Sequence, residues 1–88
     1  MPMVTVRYWA AAKQAAGVAE EEVQAETLSG ALTAVVARRQ PEPGAGLQAV
    51  LDRSSFLIDG DPAGGRAPET VALPEAAVIE VLPPFAGG

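Results

Sequence analysis

The sequence contains neither cysteine nor histidine among its 88 residues. Disulfides, thiolate nucleophiles, imidazole bases and zinc sites of the usual kind are therefore excluded together. Asp59 and Asp61 flank a turn glycine, but the later glutamate that a calcium loop requires is missing at the right spacing. We therefore expect no metal site, and no catalytic residues belonging to the chain itself.

Basic residues are also scarce, with six Lys and Arg against eleven Asp and Glu and a net charge of −5. Nucleic-acid binding is therefore not expected, whereas complementary charge would favour a basic protein partner. The adjacent Arg38 and Arg39, like the acidic run 20–22, are read as solvated positions. The sequence shows no apolar run of about 20 residues and no basic-then-apolar leader, so we expect a cytoplasmic protein without membrane contact.

Aromatic residues make up only 5% of the chain, and much of its apolar fraction is alanine. Most of the burial must then come from a few large side chains, which are the Val, Leu and Ile positions with Tyr8, Trp9, Phe56 and Phe85. A chain of this length supports one such core and hence one domain.

Alternating β-branched and aromatic residues predict the strands. Residues 3–9 form the first strand, with Val4, Val6 and Tyr8 on one face and Thr5, Arg7 and Trp9 on the other. Residues 20–26 are typical of a charged edge strand. Residues 54–58 predict a third strand, closed by a turn at 59–62, and 70–73 a brief fourth. Residues 77–82 are the most strand-like, which favours a central position.

Helices are predicted in two places. The alanine-rich residues 10–16 indicate a short helix that ends at Gly17. A longer helix begins after an N-cap at Thr27 or Ser29, and its apolar stripe consists of Leu28, Leu32, Val35 and Val36. Pro41 and Pro43 are expected to end it, and Leu47, Val50 and Leu51 add one further short turn.

This order of elements predicts an α+β fold: a mixed sheet of four or five strands with one main helix packed on one face. The last strand can lie in the middle of the sheet, parallel to the first, which is the β-grasp arrangement of ubiquitin-like proteins. We assign residues 1–82 to that domain and residues 83–88 to an extended C-terminal tail. Other α+β topologies satisfy the same pattern.

The C-terminal tail is the part of the chain whose residues could take part in a chemical reaction. Pro83 and Pro84 lack amide donors and so end the strand ladder, while Gly87 and Gly88 lack a Cβ and could thread a narrow channel. An α-carboxylate, with a pKa of about 3.5, is an anion at neutral pH and can attack the α-phosphate of ATP. A terminus without function is the alternative reading.

The ending Pro83-Pro84-Phe85-Ala86-Gly87-Gly88 resembles the Pro-Pro-x-x-Gly-Gly terminus of the MoaD family, the small subunits of molybdopterin synthase among the ubiquitin-like sulfur carriers. The stretches 4–13, 28–32 and 56–60 resemble that family's first strand, helix start and hydrophobic strand with its turn. Two positions depart from the family pattern. Lys13 stands where arginine is common, and Ala76-Ala77 where the family usually has Gly-Asp.

The resemblance implies that Gly88 is adenylated by a ubiquitin-activating-type enzyme, which uses ATP, and is then thiocarboxylated. It implies a second partner, the large synthase subunit in a heterotetramer, with sulfur passing to cyclic pyranopterin monophosphate. The chain would bind no cofactor and act as a non-catalytic small subunit. The implied partner-binding residues are Pro83, Pro84, Phe85, Ala86, Trp9 and Lys13, and Gly87 gives clearance.

Several alternatives stay open on the sequence. Phe85 could cap the domain's own core, and Trp9 and Tyr8 could be core residues instead of a partner-facing patch. Sulfur carriers for thiamine and cysteine synthesis also end in Gly-Gly on the same fold, although Pro83-Pro84 favours the molybdopterin type. A ubiquitin-like binding module or protein modifier, with no sulfur transfer, is the alternative from a different functional class.

Overall fold

The computed structural model describes residues 1–39 and 43–84, the side chains of residues 43–45 excepted. The described part forms five strands, three helices and one 3₁₀ turn at Pro68–Thr70. The strands are β1 (Met3–Tyr8), β2 (Glu20–Gln24), β3 (Ser55–Ile58), β4 (Asp61–Pro62) and β5 (Val78–Leu82). The helices are α1 (Ala10–Ala16), α2 (Leu28–Ala37) and α3 (Pro43–Leu51).

The strands form a single mixed sheet in the order β2-β1-β5-β3-β4. β1 and β5 are parallel neighbours in its centre, while β1–β2, β3–β5 and β3–β4 are antiparallel pairs. The predicted α+β class, the central place of the last strand and its parallel pairing with the first are therefore confirmed. The proposed division at residue 82 coincides with the end of β5, but it stays a prediction.

One face of the sheet carries the core. The alternation predicted for β1 is confirmed, because Val4, Val6 and Tyr8 are buried while Trp9 is 46% exposed. The other strands and the helices add further fully or nearly fully buried side chains, namely Val23, Ile58, Ile79, Val81, Ala12, Leu28, Ala31, Val35, Leu47 and Leu51. Burying a side chain of the size of leucine or isoleucine contributes roughly 1.5–3 kcal/mol.

Local signals set the helix ends. Thr27, one of the two predicted N-caps, accepts a hydrogen bond on Oγ1 from the backbone N–H of Gly30 at 3.1 Å. Gly17 closes α1 in a left-handed conformation (φ 83°), where its N–H donates to the carbonyl of Lys13. None of the helices in residues 1–39 and 43–84 is long and apolar enough to cross a bilayer.

Two predicted elements were wrong. Pro43 does not end a helix but begins α3, whose nine residues replace the single turn expected there. Proline fits the first helical position because that residue's N–H has no partner within the helix. Residues 70–73 were expected to be a strand, yet the chain makes a 3₁₀ turn and then one isolated bridge between Ala72 and Thr27.

The turn between β3 and β4 has a clear local cause. Asp59 and Gly60 both have positive φ, 51° and 87°, as a type I′ hairpin turn requires at its two central positions. Asp59 is also tied to β5, since its Oδ1 accepts from the N–H of Val78 at 2.9 Å. The aspartate therefore orders the turn and joins it to β5.

A charged cluster joins the sheet to the ends of two helices. Glu21 lies on the core face of β2 and accepts from the hydroxyl of Tyr8, from Arg38 at 3.1 Å and from Arg39 at 2.7 Å. The side chains of Glu21 and Arg39 are only 13% and 12% exposed. Reading the acidic run and the arginine pair as solvated was therefore wrong for these two residues.

Arg39 also holds the C-terminal turns of α1 and α2. Its Nε donates to the carbonyl of Ala16 at 3.0 Å and its Nη1 to that of Val35 at 2.7 Å. Carbonyls in the last turn of a helix have no partner within it, and they carry the negative end of the helix dipole. One guanidinium thus satisfies both helices while it is paired with Glu21.

The turn before β5 contains a strained alanine. Ala76 is exposed and has a φ of 65°, in the left-handed region that favours glycine. Its N–H donates to the carbonyl of Met3 at 2.9 Å, which joins the turn to the start of β1. The departure noted in the sequence, alanine where the MoaD family usually has glycine, therefore falls on a backbone position suited to glycine.

We predict that Glu21→Gln lowers the free energy of unfolding by about 2–3 kcal/mol, because it leaves Arg39 without its charged partner in a mostly buried place. Glu20→Gln is the matched control. The neighbouring pair Glu20–Arg7 is 52% and 41% exposed, so its loss should cost less than about 1 kcal/mol. Urea unfolding measures both values. Equal losses of stability would contradict the role of Glu21 as the mostly buried partner of Arg39.

A further prediction concerns how the stability difference between wild type and Glu21→Gln depends on pH. Burial raises the pKa of Glu21, but the donors Tyr8, Arg39 and Arg38 outweigh burial and hold that pKa below its ordinary range. A depressed folded-state pKa stabilises the protein above the unfolded value of about 4.3, and this stabilisation is lost as pH falls through the folded value. The stability difference between wild type and Glu21→Gln should therefore narrow in acid.

We further predict that Ala76→Gly raises the free energy of unfolding by about 0.5–1 kcal/mol. Glycine relieves about 1–2 kcal/mol of left-handed strain in the folded protein. It also increases the conformational entropy of the unfolded chain, which lowers the gain in stability by roughly 0.4–1 kcal/mol. Ala11→Gly, at an exposed position in α1, should instead destabilise by about 1 kcal/mol. Thermal unfolding of the two variants should give shifts of opposite sign.

Candidate functional site

The chain leaves the sheet from its centre. β5, between β1 and β3, ends at Leu82, and Pro83 and Pro84 follow. Neither proline can donate a ladder hydrogen bond, so the pairing on both sides ends here. Pro83 is half-buried and Pro84 exposed. The other predicted tail residues, Phe85, Ala86, Gly87 and Gly88, lie outside the described residues.

An apolar groove of about 590 Å³ lies beside this exit. It is bounded by the start of α1, the two prolines and the segment that leads into β3, that is, by Trp9, Ala10, Ala11, Arg53, Ser55, Leu82, Pro83 and Pro84. The surface exposed inside the groove is mostly carbon, and Arg53 and Ser55 are its polar side chains. Such a surface is suited to an apolar segment that carries an acceptor or a negative charge at one end.

Trp9 forms one wall of the groove. The period of two along β1 turns Tyr8 into the core and Trp9 to the opposite face, where its indole Nε1 donates to Glu80 Oε2 at 3.2 Å. The expectation that Trp9 supplies core burial was therefore wrong, as was the inclusion of Tyr8 in a partner-facing patch. An exposed, hydrogen-bonded tryptophan is the kind of residue that anchors protein interfaces.

Lys13 does not line this groove. It lies on the exposed side of α1 and borders a separate shallow depression with Ala10, Gln14, Gly17, Val18 and Ala19. Ala10 belongs to both depressions, so Lys13 is about one helical turn from the groove. The structure thus brings together Trp9, Pro83 and Pro84 of the predicted site and leaves Lys13 as a near neighbour.

Sequence reasoning did not single out Arg53 and Ser55. The signal for them lies in strand register, because Ser55 is the partner of Leu82 in the antiparallel β3–β5 pair. Continuing that register places Arg53 opposite Pro84. The sequence shows that a third and a last strand exist, but it does not show their alignment.

The arrangement offers an apolar surface beside the point where the chain leaves the sheet. Within residues 1–39 and 43–84, no group of three His, Cys, Asp or Glu side chains is placed to hold a metal ion. Of the charged side chains near the groove, Arg53 lines it and the Glu80 carboxylate accepts the hydrogen bond from Trp9 Nε1. Such a site can dock a partner beside the end of the chain.

Comparison with known proteins supports the fold. No protein-family model matches the chain, and no curated protein matches it. Among solved structures, small archaeal modifier protein 1 from Methanosarcina acetivorans is similar with a TM-score of 0.82 and 22% identity, covering 100% of this chain and 98% of that one. The same modifier from Haloferax volcanii gives a TM-score of 0.77 at 21% identity, with 98% and 99% covered.

A third similar structure is a chain of the complex of subunits 1 and 2 of molybdopterin-converting factor from Helicobacter pylori. Its TM-score is 0.67 at 23% identity, and 98% of this chain and 99% of that chain are covered. These likenesses span the whole chain at low identity, so what they establish is the architecture. The chain has the ubiquitin-like β-grasp fold, and its structural neighbours include both a molybdopterin-converting factor and small archaeal modifiers.

Proposed function

We propose that this protein is a ubiquitin-like sulfur carrier, with Gly88 as the acyl terminus of the form that ends there. The observation that carries the proposal is the exit of β5 from the sheet centre through Pro83-Pro84, beside the Trp9 groove. Gly88 follows only four residues after Pro84. A docked partner would therefore have the Gly-Gly end within reach of its own catalytic groups.

The chemistry needs no nucleophilic side chain from the carrier, because its terminal carboxylate is itself the nucleophile of the first step. The Gly88 carboxylate attacks the α-phosphate of ATP and expels pyrophosphate, giving an acyl-adenylate. Hydrosulfide then attacks the acyl carbon and AMP departs with the electron pair, which leaves a thiocarboxylate. Gly87 and Gly88 suit these two reaction steps because neither has a Cβ to obstruct a narrow catalytic channel.

The partners of this proposal are an adenylating enzyme of the ubiquitin-activating type and the large subunit of molybdopterin synthase, with two copies of each subunit in a heterotetramer. The Helicobacter pylori neighbour is a complex of subunits 1 and 2 of molybdopterin-converting factor, which supports the second partner. Sulfur would pass to cyclic pyranopterin monophosphate in the cytoplasm, where ATP is available. The carrier would bind no cofactor of its own.

In this proposal the groove docks the partner. Trp9 supplies an apolar anchor, Pro83 and Pro84 fix the exit of the tail, and Phe85 and Ala86 enter the partner with it. Lys13 adds a positive charge at the rim. The net charge of −5 would speed association with a basic surface on the partner.

A second candidate is conjugation of the protein to lysines of other proteins. The observation in its favour is that two small archaeal modifiers are among the structural neighbours, with TM-scores of 0.82 and 0.77. Adenylation of Gly88 is common to both candidates, and the acceptor distinguishes them. Sulfur carriage for thiamine or cysteine synthesis would share the thiocarboxylate and differ only in where the sulfur goes.

The first test is the intact mass of the chain ending at Gly88 after incubation with ATP, an adenylating partner and a sulfur donor. We expect a gain equal to the exchange of one oxygen for one sulfur. A variant lacking Gly88 and one with an extra alanine after it are the controls, and neither should change in mass. With a partner that charges a known carrier, an unchanged wild-type mass would contradict the proposal.

A second test addresses docking. Trp9→Ala should raise the KM for activation by about thirtyfold, which corresponds to the loss of roughly 2 kcal/mol seen at interface anchors, while it changes stability little. Met3→Ala is the matched control, because Met3 is 38% exposed and lies at the opposite end of β1 from the groove. Pyrophosphate exchange measures both KM values. Equal effects of the two substitutions on KM would contradict the proposed contact between Trp9 and the partner.

A further inference from the structure

Arg53, which lines the apolar groove, differs from the other four arginines of the chain in its contacts. Those four pair with glutamates or donate to backbone carbonyls, and they are Arg7, Arg38, Arg39 and Arg66. Among the residues that the structure describes, no ion pair and no side-chain hydrogen bond includes the guanidinium of Arg53. Its five N–H donors are therefore available to a bound molecule.

The two acidic side chains that lie beside Arg53 in the sequence or beside the groove are engaged elsewhere. Asp52 accepts a hydrogen bond from the Gln48 side chain at 2.8 Å, and it borders a depression that shares no residue with the groove. Glu80 accepts from the indole of Trp9 at 3.2 Å. The positive charge of Arg53 thus has no carboxylate partner within the described part of the chain.

The backbone of Arg53 is held in place although its side chain is exposed. Its N–H donates to the carbonyl of Val50 at 3.1 Å, and the N–H of Ser54 donates to the carbonyl of Leu51 at 3.1 Å. The Ser54 hydroxyl also donates to the Val50 carbonyl at 2.8 Å. These bonds close the end of α3, so binding at Arg53 would have to order a side chain but no loop.

Sheet topology places Trp9 and Arg53 on opposite sides of the groove. β5 lies between β1 and β3, so Leu82 has Ser55 as its partner on one side and the residue after Tyr8 on the other. Two strand spacings, about 10 Å, separate these flanks. In an extended chain, positions i and i+2 are about 7 Å apart and i and i+4 about 13 Å, which brackets that width.

We propose that the groove docks an extended segment of a partner protein, in which an apolar residue packs on Trp9 and an aspartate or glutamate two to four positions away pairs with Arg53. The planar guanidinium can donate two parallel hydrogen bonds to one carboxylate, which fixes orientation as well as position. Tryptophan and arginine are also the residue types that most often carry the binding energy of an interface.

The charge of the whole protein makes this preference diagnostic. With a net charge of −5, the chain repels an acidic segment at long range and attracts a basic one. Selection of an acidic segment must therefore come from a local contact, and such contacts set the register of a partner and reject wrong ones. The inference rests on the proposed function in taking the groove as a docking surface, and it names the chemistry of the segment that docks there.

The test uses the full chain with a phage-displayed library of random peptides, without ATP or an adenylating enzyme. We expect the selected peptides to carry an aspartate or glutamate two to four positions from a large apolar residue. Selection on Arg53→Gln should keep the apolar residue and lose the acidic one. A library that yields no enriched peptide, a neutral or basic consensus, or the same acidic consensus on Arg53→Gln would each overturn the inference.

A double-mutant cycle then measures the contact. One selected peptide is made with its acidic residue and with the corresponding amide, and fluorescence of Trp9, the single tryptophan, reports its binding to wild type and to Arg53→Gln. Each change alone should weaken binding by about tenfold, and the two together should weaken it by no more than one alone. Independent effects that multiply would show that Arg53 and the carboxylate do not touch.

Thr33→Glu is the charge-matched control, because both this change and Arg53→Gln add one negative unit to the net charge. Thr33 is exposed on α2, outside the groove, so its substitution should change peptide affinity by less than about twofold through screened repulsion. Equal weakening by the two variants would assign the effect to net charge and overturn the inference.

Two further outcomes would assign the groove to a different occupant and so overturn the inference. Binding that appears only after the Gly88 carboxylate is converted to an amide would mean that the chain's own end pairs with Arg53. Peptide affinity that falls as the protein concentration rises would indicate a second copy of the chain. None of these results depends on activation of Gly88, which the mass experiment above tests separately.

Discussion

The parallel pairing of β1 with β5 is the constraint on which the rest of the molecule depends. It joins the two ends of the described chain in the centre of one sheet, with Arg7 opposite Glu80 and Tyr8 opposite Val81. Parallel neighbours need a long crossover, and everything between residues 9 and 77 supplies it. The crossover provides the three helices that cover one face and the strands that flank the central pair.

The same pairing determines what surrounds the exit of the chain. Parallel strands end at the same edge, so the end of β5 meets the residues that follow β1. Those residues are Trp9 and the first turn of α1, and the groove is the space between them and the prolines. The site is therefore a consequence of topology, and its neighbours come from distant parts of the sequence.

The last residue of β1 and the residue that follows it have different roles, one in stability and one at the surface. Tyr8 is 2% exposed and donates its hydroxyl to Glu21, within the cluster that Arg39 connects to both helix ends. Trp9, one residue further, faces the opposite side and is bonded to Glu80. A register slip by one residue would exchange these roles, so the pairing of β1 must be firmly specified.

Patterns of short range could be predicted from the sequence. The strand periodicity, the Thr27 cap, the Gly17 helix end and the Asp59-Gly60 turn each depend on neighbouring residues, and the structure confirms them. The α3 helix was predicted as a single turn because Pro43 fits the first turn of a helix as well as it fits a helix end. Four residues of the candidate tail lie outside the described part, so the predictions made for them stay predictions.

Contacts between distant segments could not be predicted in the same way. The alternation that puts Val23 in the core also puts Glu21 on that face. Only the folded structure shows that Arg39 lies there and pairs with Glu21. Arg53 enters the groove through the β3–β5 register, which no local pattern determines. Residue identity was therefore sufficient for the elements, whereas the partners of the charged residues required the topology.

Two arginines stabilise this fold through contacts that a lysine could not make. The planar guanidinium of Arg39 reaches two helix carbonyls and a carboxylate at once. Arg66 likewise donates through Nε to the carbonyl of Ala63 at 3.0 Å. A lysine ammonium could not reproduce that fork. Structural demand thus accounts for arginine at these sites.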